Sequence, residues 1–302
     1  MALRAGRHFL QIPGPTNVPD RVLRAMDRPT MDHRSPAFAD LVKGLKHPLA
    51  RVFGCAGPVI IYPASGSGAW EAALANTMSP GDKVLIYETG HFASLWSEIA
   101  RHLGLQPIVI PGTWRRGAEA EAIGATLARD KAHEIRAVCV VHNETSTGCV
   151  SPIAKVRAVM DAQDHPALLM VDTISSLGSM PYDADACRVD VTVAGSQKGL
   201  MLPPGLSFNA ISLKALEASR RAALPRSYWD WGKIVEANER GFFPYTPATN
   251  LLYGLREALA MLEEEGLDNV FSRHARHARA TRAAVRHWNL ETQCAHDPDH
   301  SN

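Results

Sequence analysis

Short apolar segments alternate with longer helix-forming segments along most of the chain. Seven apolar segments are rich in valine and isoleucine, and their apolar residues occupy both faces of an extended backbone. They are Pro58–Tyr62, Asp82–Tyr87, Leu105–Ile110, Arg136–Val141, Ala167–Asp172, Asp190–Gly195 and Leu206–Leu213. This alternation predicts an α/β sandwich, in which parallel strands are joined by helices that cover both faces of the sheet.

Helical patterns lie between and after these strands. The sequence predicts helices over Ala69–Met78, Phe92–Leu103 and Ile153–Ala162. Pro152 supports the predicted start of the third helix, because proline is favoured where helices begin. Beyond Thr249 only helical patterns remain: leucines recur at helical spacing until Gly266 ends the first of two helices.

The balance of charge argues against polyanionic partners. The 302 residues include 32 Lys and Arg against 31 Asp and Glu, so the chain lacks the basic field that nucleic acid or an anionic membrane surface selects. With 46% hydrophobic residues the chain can bury a sizeable core. Membrane insertion is not indicated either, because no apolar run reaches about 18 residues.

Five widely spaced cysteines, none in a C-x-x-C pair, are typical of reduced thiols and predict a cytoplasmic protein. A metal site built on Cys139, His142 and Cys149 is disfavoured, since Cys139 lies within a strand pattern and the sequence offers no evident fourth ligand.

Ligands of parallel α/β sheets bind at the carboxyl ends of strands, so the polar residues that follow each strand are the candidates for a site. One such stretch is Ser65–Ala69, where Gly66 and Gly68 let a backbone approach a ligand and the following helix presents free amide groups. The stretch predicts either a plain flexible loop or an anion-binding turn. A nucleotide P-loop is excluded, because the required lysine is missing.

Two further candidates are an acid and an amine. The carboxylate of Asp172 ends a strongly apolar strand, and it predicts either a turn cap or an acid that needs a cationic partner. Lys198 follows the next strand, and it is either a solvated loop lysine or a desolvated nucleophile. An anion cradle, a buried acid and a nucleophilic amine on one edge are what pyridoxal phosphate requires.

Motifs along most of the chain resemble those of class V aminotransferases, and they stand in the family's order. They are PGPTNVP, SGSGAWEAAL, HNETSTG, VDTISSLGSMP, GSQKGLMLPPG and YTPATNLLYGLREAL, with DHRSPAF and FFPYTPATN most similar to the serine–glyoxylate branch. The resemblance implies a pyridoxal-phosphate-dependent transferase of fold type I, with a mostly parallel seven-stranded sheet. It also implies a second, small α+β domain that lies largely beyond Asn302, together with the arginine that binds the substrate carboxylate.

The resemblance also implies roles for individual residues. Lys198 would bind the cofactor covalently and move a proton, and Asp172 would pair with the ring nitrogen. Other contacts to the cofactor would come from Ser67, Gly68 and Ala69 at the phosphate with Gln197 nearby, from Thr145 at the ring edge, and from Phe92 and Ile174 on the two ring faces. Thr246 would reach the phosphate of a partner subunit in a homodimer with shared sites.

The organisation expected from these motifs is an N-terminal arm (1–16), a large cofactor-binding domain (17–250), and linking helices that begin an incomplete small domain (251–302). The expected reaction moves an amino group from serine, alanine or aspartate to glyoxylate or a similar 2-oxo acid. Two alternatives stay open: a lyase or desulfurase on the same fold, and a truncated member that binds cofactor without turnover.

Overall fold

A twisted seven-stranded sheet forms the centre of the molecule in the computed structural model, which describes residues 10–302. Its strands are β1 (Val59–Tyr62), β2 (Lys83–Glu88), β3 (Gln106–Pro111), β4 (Ile135–Val141), β7 (Leu168–Asp172), β8 (Val191–Gly195) and β9 (Ser207–Ile211). Two short strands, β5 (Asn143–Glu144) and β6 (Cys149–Val150), lie outside this sheet. The strand order in the sheet is β1-β9-β8-β7-β4-β2-β3, while β5 and β6 form a separate hairpin. All seven predicted apolar segments therefore become strands of one sheet.

The sheet is mostly parallel, as expected, but one of the seven predicted parallel strands is not. Strand β9 runs antiparallel to both of its neighbours, β8 and β1. The stretch from β8 to β9 is too short for a helical crossover, so the chain turns back and pairs as a hairpin does. The apolar pattern alone cannot reveal this reversal, because a fully buried antiparallel strand has the same composition.

Ten α-helices are found within the described part of the chain, and they cover both faces of the sheet. They are α1 (Asp20–Met26), α2 (Pro36–Phe53), α3 (Gly66–Thr77), α4 (His91–His102), α5 (Ala120–Arg129), α6 (Ile153–Ala162), α7 (Leu213–Arg221), α8 (Trp231–Glu239), α9 (Thr249–Glu265) and α10 (Leu267–His287). Successive strand residues point to opposite layers: Met170 packs with α3 and α4, whereas Leu169 and Val171 pack with α5 and α6.

The predicted helices agree with the structure except at one boundary that matters for the site. Helix α6 has the predicted bounds, α4 begins one residue early, and α9 ends just before Gly266. Helix α3 begins at Gly66 rather than at Ala69. The glycines therefore form the first helical turn and not a loop in front of it, because burial against β8 and β9 offsets their low helix propensity.

Helix α9 belongs to the layer of helices on one face of the sheet. It packs against α1 and α2, and its Leu252, Leu255 and Leu259 share one apolar cluster with Val22 and Phe38.

The division of the chain at residues 16 and 250 stays a prediction. Residues 1–9 of the expected arm lie outside the described residues. Among the helices of residues 10–302, none combines the length and the apolar character that spanning a bilayer demands.

Candidate active site

The first turn of α3 lies at the carboxyl edge of the sheet, against the loop that follows β7. A Cβ atom on Gly66 would lie 2.2 Å from Cδ1 of Ile174, so a larger residue there would force the Ile174 side chain to move. The Ser65 side chain makes no capping hydrogen bond to this helix. The amide of Gly68 bonds the Ser65 carbonyl (3.0 Å), while Ser67 stays partly exposed. A helix start without a side-chain cap, next to a hydroxyl group, suits an anion.

Asp172 ends β7 and is 3% exposed. Its Oδ2 accepts a hydrogen bond from Nε1 of Trp70 (3.0 Å), and its Oδ1 accepts one from the backbone amide of Ile174 (2.6 Å). Burial, together with the nearby Glu144, raises the pKa of this carboxyl to about 7, although these two donors and Lys198 act in the opposite direction. Within the described residues Asp172 forms no salt bridge, so a bound cation would stabilise its charged form.

Lys198 follows β8 in a half-buried loop that the N-terminal segment covers. Its Nζ donates a hydrogen bond to the carbonyl of Pro13 (3.2 Å), and the amide of Thr16 donates to the carbonyl of Gln197 (2.9 Å). A Cβ atom on Gly14, whose φ is +153°, would lie 2.3 Å from Nζ. Burial lowers the pKa of the Lys198 amine, which increases the fraction that is uncharged and nucleophilic near neutral pH.

Two hydrogen bonds join the loop after β7 to the loop after β4. The hydroxyl groups of Thr145 and Ser175 contact each other, and Nδ1 of His142 lies 2.9 Å from Oγ of Ser176. Both bonds link loops that follow adjacent parallel strands, so they fix the position of Thr145 relative to Asp172. Sequence reasoning missed Ser175, Ser176 and this role of His142, because nothing in the sequence shows that the two loops pair.

Phe92 stands at the beginning of α4, where a buried carboxylate holds the helix in place. Glu144 is 0% exposed, and it accepts hydrogen bonds from the amides of Phe92 (3.3 Å) and Ala93 (3.2 Å) and from Oγ of Ser146 (2.7 Å). A negative charge at a helix N-terminus is stabilised by the exposed amides and the helix dipole. Glu144 is a further residue that sequence reasoning missed, although its place in HNETSTG beside Thr145 was a usable signal.

Gln197 lies beside the loop after β7, because a Cβ atom on Gly195 would meet both its Oε1 (3.0 Å) and Cγ2 of Ile174 (3.6 Å). Its Oε1 is buried and finds no hydrogen-bond partner among the described residues. Buried polar atoms are seldom left unpaired in native proteins, and such an exception is a candidate ligand contact.

Thr246 lies apart from the residues described so far. It is exposed and lines a small cleft with Tyr62, Tyr228 and Tyr245. The hydroxyl of Tyr245 donates to the carbonyl of Ser227 (2.8 Å), and the Tyr245 ring stacks on Tyr228 with centroids 4.5 Å apart. The structure thus gathers nine of the ten predicted site residues at the carboxyl edge and leaves Thr246 on an exposed surface.

A cavity of about 300 Å³ opens beside Lys198 and extends to α10. Ser175 and Lys198 line one part of it, and Arg273 and His274 line another. The guanidinium of Arg273 is already bound by Glu265, with Nε–Oε1 at 2.7 Å and Nη2–Oε2 at 2.9 Å. The cavity therefore has one guanidinium in its lining, that of Arg273, and this group is committed to an internal ion pair.

Comparison with known proteins decides the family to which this arrangement belongs. Residues 8–300 match the family described as Aminotransferase class-V. The chain belongs to the class V aminotransferases. It is 52% identical to a serine–glyoxylate aminotransferase of Methylorubrum extorquens over 98% of this chain and 75% of the relative, and 44% identical to an L-aspartate–glyoxylate aminotransferase of Paracoccus denitrificans over 95% and 73%.

Solved structures agree with this class V aminotransferase assignment. The structure superimposes on an alanine–glyoxylate aminotransferase from Nostoc sp. with a TM-score of 0.90 and 30% sequence identity, over 100% of this chain and 80% of the other. The expected fold type is thereby confirmed. Membership of the family implies small-molecule amino acid and 2-oxo acid substrates, and it implies pyridoxal phosphate as cofactor.

Three features of this class V aminotransferase suit pyridoxal phosphate. The first turn of α3 has no side-chain cap from Ser65, and its Ser67 is partly exposed. The carboxylate of Asp172 is buried without a salt bridge among the described residues. The buried Oε1 of Gln197 is unpaired within the same part of the chain. The phosphate of the cofactor can bind at the start of α3, its ring N–H⁺ can pair with Asp172, and another of its polar groups can bond Gln197. The residues present therefore fit pyridoxal phosphate.

Proposed function

We propose that this enzyme transfers the amino group of serine, or of alanine or aspartate, to glyoxylate or a similar 2-oxo acid with pyridoxal phosphate as cofactor. With serine and glyoxylate the products are hydroxypyruvate and glycine, so the amino group and two electrons change carriers without an external oxidant. The names of the two sequence relatives support this substrate class. The observation that carries the proposal is the convergence of Lys198, Asp172 and the first turn of α3 on one sheet edge.

The cofactor would be held both at its phosphate and at its ring. Ser67, Gly68 and Ala69 would bind the phosphate with the first turn of α3, where Ala69 also has its carbonyl bonded by Nδ2 of Asn209 (3.2 Å). Gln197 would lie nearby. Such a helix start contributes roughly 0.3–1 kcal/mol per charge, and charge-assisted hydrogen bonds add to it.

The ring would be oriented from its edge and both faces. Thr145 would donate a hydrogen bond at the ring edge, Phe92 would stack on one face, and Ile174 would pack on the other. Asp172 would keep the ring nitrogen protonated, which requires the carboxylate to be ionised. Bound in this way, the cofactor supplies an electron sink for the carbon–hydrogen bond that breaks.

Lys198 would both bind the cofactor and transfer a proton. Its uncharged Nζ would bind the cofactor covalently in the resting enzyme. Once an amino acid displaces it, the same Nζ would accept the proton from Cα of the donor and deliver it to a carbon of the cofactor. A depressed pKa of this amine favours both roles, because a charged ammonium group is neither nucleophile nor base.

The active unit is proposed to be a cytoplasmic homodimer in which Thr246 binds the phosphate held by the partner subunit. The exposed position of Thr246, beside the stacked rings of Tyr228 and Tyr245, supports a contact with a second chain. All five cysteines are free thiols, which supports a reducing compartment.

Visible absorbance tests the lysine assignment directly. Purified protein with pyridoxal phosphate is expected to show a protein-bound cofactor band that Lys198→Ala lacks, while Lys214→Ala, at the opposite edge of the sheet, keeps it. The loaded enzyme should also convert serine and glyoxylate to hydroxypyruvate and glycine. An unchanged band in Lys198→Ala would refute the assignment, and sulfide release from cysteine without loss of a 2-oxo acid would identify a desulfurase instead.

A further inference from the structure

The acid that faces the proposed cofactor ring is held by an indole. Nε1 of Trp70 lies 3.0 Å from Oδ2 of Asp172, and both residues are buried, with exposed fractions of 1% and 3%. The backbone amide of Ile174 occupies the other oxygen, Oδ1. Each carboxylate oxygen therefore has one protein donor and keeps further acceptor capacity, since an ionised carboxylate has about four acceptor sites.

An indole is well suited to hold a carboxylate in its ionised form. Its N–H group can donate but has no lone pair with which to accept, so it bonds the charged carboxylate and gives nothing to a carboxylic O–H group. The ring of Trp70 is itself fixed, because it stacks on Trp96 with centroids 5.7 Å apart and planes at 14°. The donor therefore points at Asp172 with little freedom to turn away.

The position of Trp70 along α3 links this contact to the proposed phosphate site. Trp70 immediately follows Ser67, Gly68 and Ala69, which are the residues proposed to bind the phosphate. One rigid helical turn thus carries the contacts for the phosphate and the donor that fixes the acid at the ring nitrogen. A shift of this turn would move both ends of the binding site together.

We propose that Trp70 is a positioning residue, whose indole N–H group holds the Asp172 carboxylate ionised and aimed at the ring nitrogen of pyridoxal phosphate. This inference rests on the proposed function. The environment of Asp172 makes such help necessary, because burial and the nearby Glu144 both favour the neutral acid, while Lys198 opposes them. A neutral acid could not keep the ring nitrogen protonated.

A neighbouring tryptophan provides a matched control for the experiment. Trp96 is equally buried and belongs to the same stacked pair, but its Nε1 finds no acceptor among residues 10–302. Replacement of either indole by phenylalanine removes an N–H group and a similar volume from the same apolar cluster. Only Trp70→Phe also removes a hydrogen bond to Asp172.

The experiment measures the dissociation constants of pyridoxal phosphate and of its 1-deaza analogue, in which carbon replaces the ring nitrogen. Trp70→Phe is expected to weaken binding of pyridoxal phosphate roughly tenfold to a hundredfold, the range for a hydrogen bond to a charged group. It should leave the affinity for the analogue within about twofold, and Trp96→Phe should leave both affinities unchanged. Circular dichroism establishes that each variant is folded.

Asp172→Asn separates failure of this inference from failure of the proposed function. If Asp172→Asn does not weaken pyridoxal phosphate, the acid does not serve the ring nitrogen and the proposed function is wrong. If Asp172→Asn weakens it but Trp70→Phe does not, or if Trp70→Phe weakens both ligands equally, the positioning role is refuted. Should Trp70→Phe fail to fold, benzothienylalanine at position 70, which replaces the N–H group by sulfur in a ring of similar shape, gives the same comparison.

Discussion

Buried polar residues define the site at the scale of single side chains. Asp172, His142 and Glu144 lie within a few residues of one sheet edge, and each is at least nine-tenths buried. Each is satisfied by a specific donor or acceptor from a neighbouring helix or loop. A desolvated polar group without such a partner would cost about 1–3 kcal/mol, so these contacts stabilise the loop geometry on which catalysis would depend.

His142 gives a prediction about pH and stability. Burial lowers the pKa of this imidazole to about 4 from 6.5, so between these values the unfolded chain binds a proton that the folded chain does not. The stability that His142 contributes is therefore present above pH 6.5 and is lost as the pH falls towards 4, by about 3 kcal/mol in total. His142→Asn keeps a donor near Ser176 but cannot titrate, so its stability should depend less on pH.

Urea unfolding of both proteins at several pH values between 4 and 7 measures this difference. The advantage of the wild-type protein over His142→Asn should shrink by the stated amount as the pH falls. His102→Asn, on the exposed face of α4, controls for the loss of a surface histidine. Parallel pH curves for wild type and His142→Asn would contradict the prediction.

At the scale of secondary-structure elements, the start of α3 connects packing to function. Four small residues, Gly66 to Ala69, form a helical turn against Ile174 in the loop that follows β7. The side chain of Ile174 packs against Gly66 so closely that a Cβ atom at position 66 would collide with its Cδ1 atom. The same glycines leave the helix start accessible to an anion.

A pair of glycine substitutions tests this interpretation. Gly66→Ala should lower the free energy of unfolding by about 1–3 kcal/mol and weaken pyridoxal phosphate, because its Cβ atom must displace Ile174. Gly44→Ala, at an exposed position within α2 where a Cβ atom meets nothing within 4 Å, should instead raise it by about 0.5–1 kcal/mol. Denaturant unfolding and cofactor titration give both values. A stabilised Gly66→Ala that binds cofactor normally would show that the close contact is unimportant.

At the scale of the whole molecule, the position of Thr246 bears on the proposed homodimer. Nine predicted site residues meet at the carboxyl edge of the sheet, whereas Thr246 is exposed in a cleft beside Tyr228 and Tyr245. A site shared between two chains explains why a residue proposed to bind phosphate lies on the surface of one.

Mixed dimers provide the test of shared sites. Lys198→Ala should be inactive because it lacks the amine, and Thr246→Asp should lose cofactor because its charge repels the partner's phosphate. After the two variants are unfolded and refolded together, half of the sites in mixed dimers combine wild-type Lys198 with wild-type Thr246. Transaminase activity should therefore return on mixing. No recovery in a mixture that sedimentation shows to contain dimers would contradict shared sites.

The seven strands and the helices α3, α4, α6, α9 and α10 could be predicted from the sequence alone, as could Asp172 and Lys198 as candidate site residues at strand ends. Apolar periodicity and strand-end position are local properties, so they can be read along the chain. Recognition of the family motifs added the cofactor and the remaining candidate residues. The comparisons confirmed the family, the fold and the enzyme class.

Contacts between side chains that are distant along the chain could be found only in the folded structure. The reversal of β9, the helical start at Gly66, the cap on α4 by Glu144 and the pairing of Thr145 with Ser175 all depend on residues distant in sequence. The contact of Trp70 with Asp172 joins residues 102 positions apart. Such contacts arise because parallel strands bring separate loops to one edge, and a single sequence carries no local signal of which loops become neighbours.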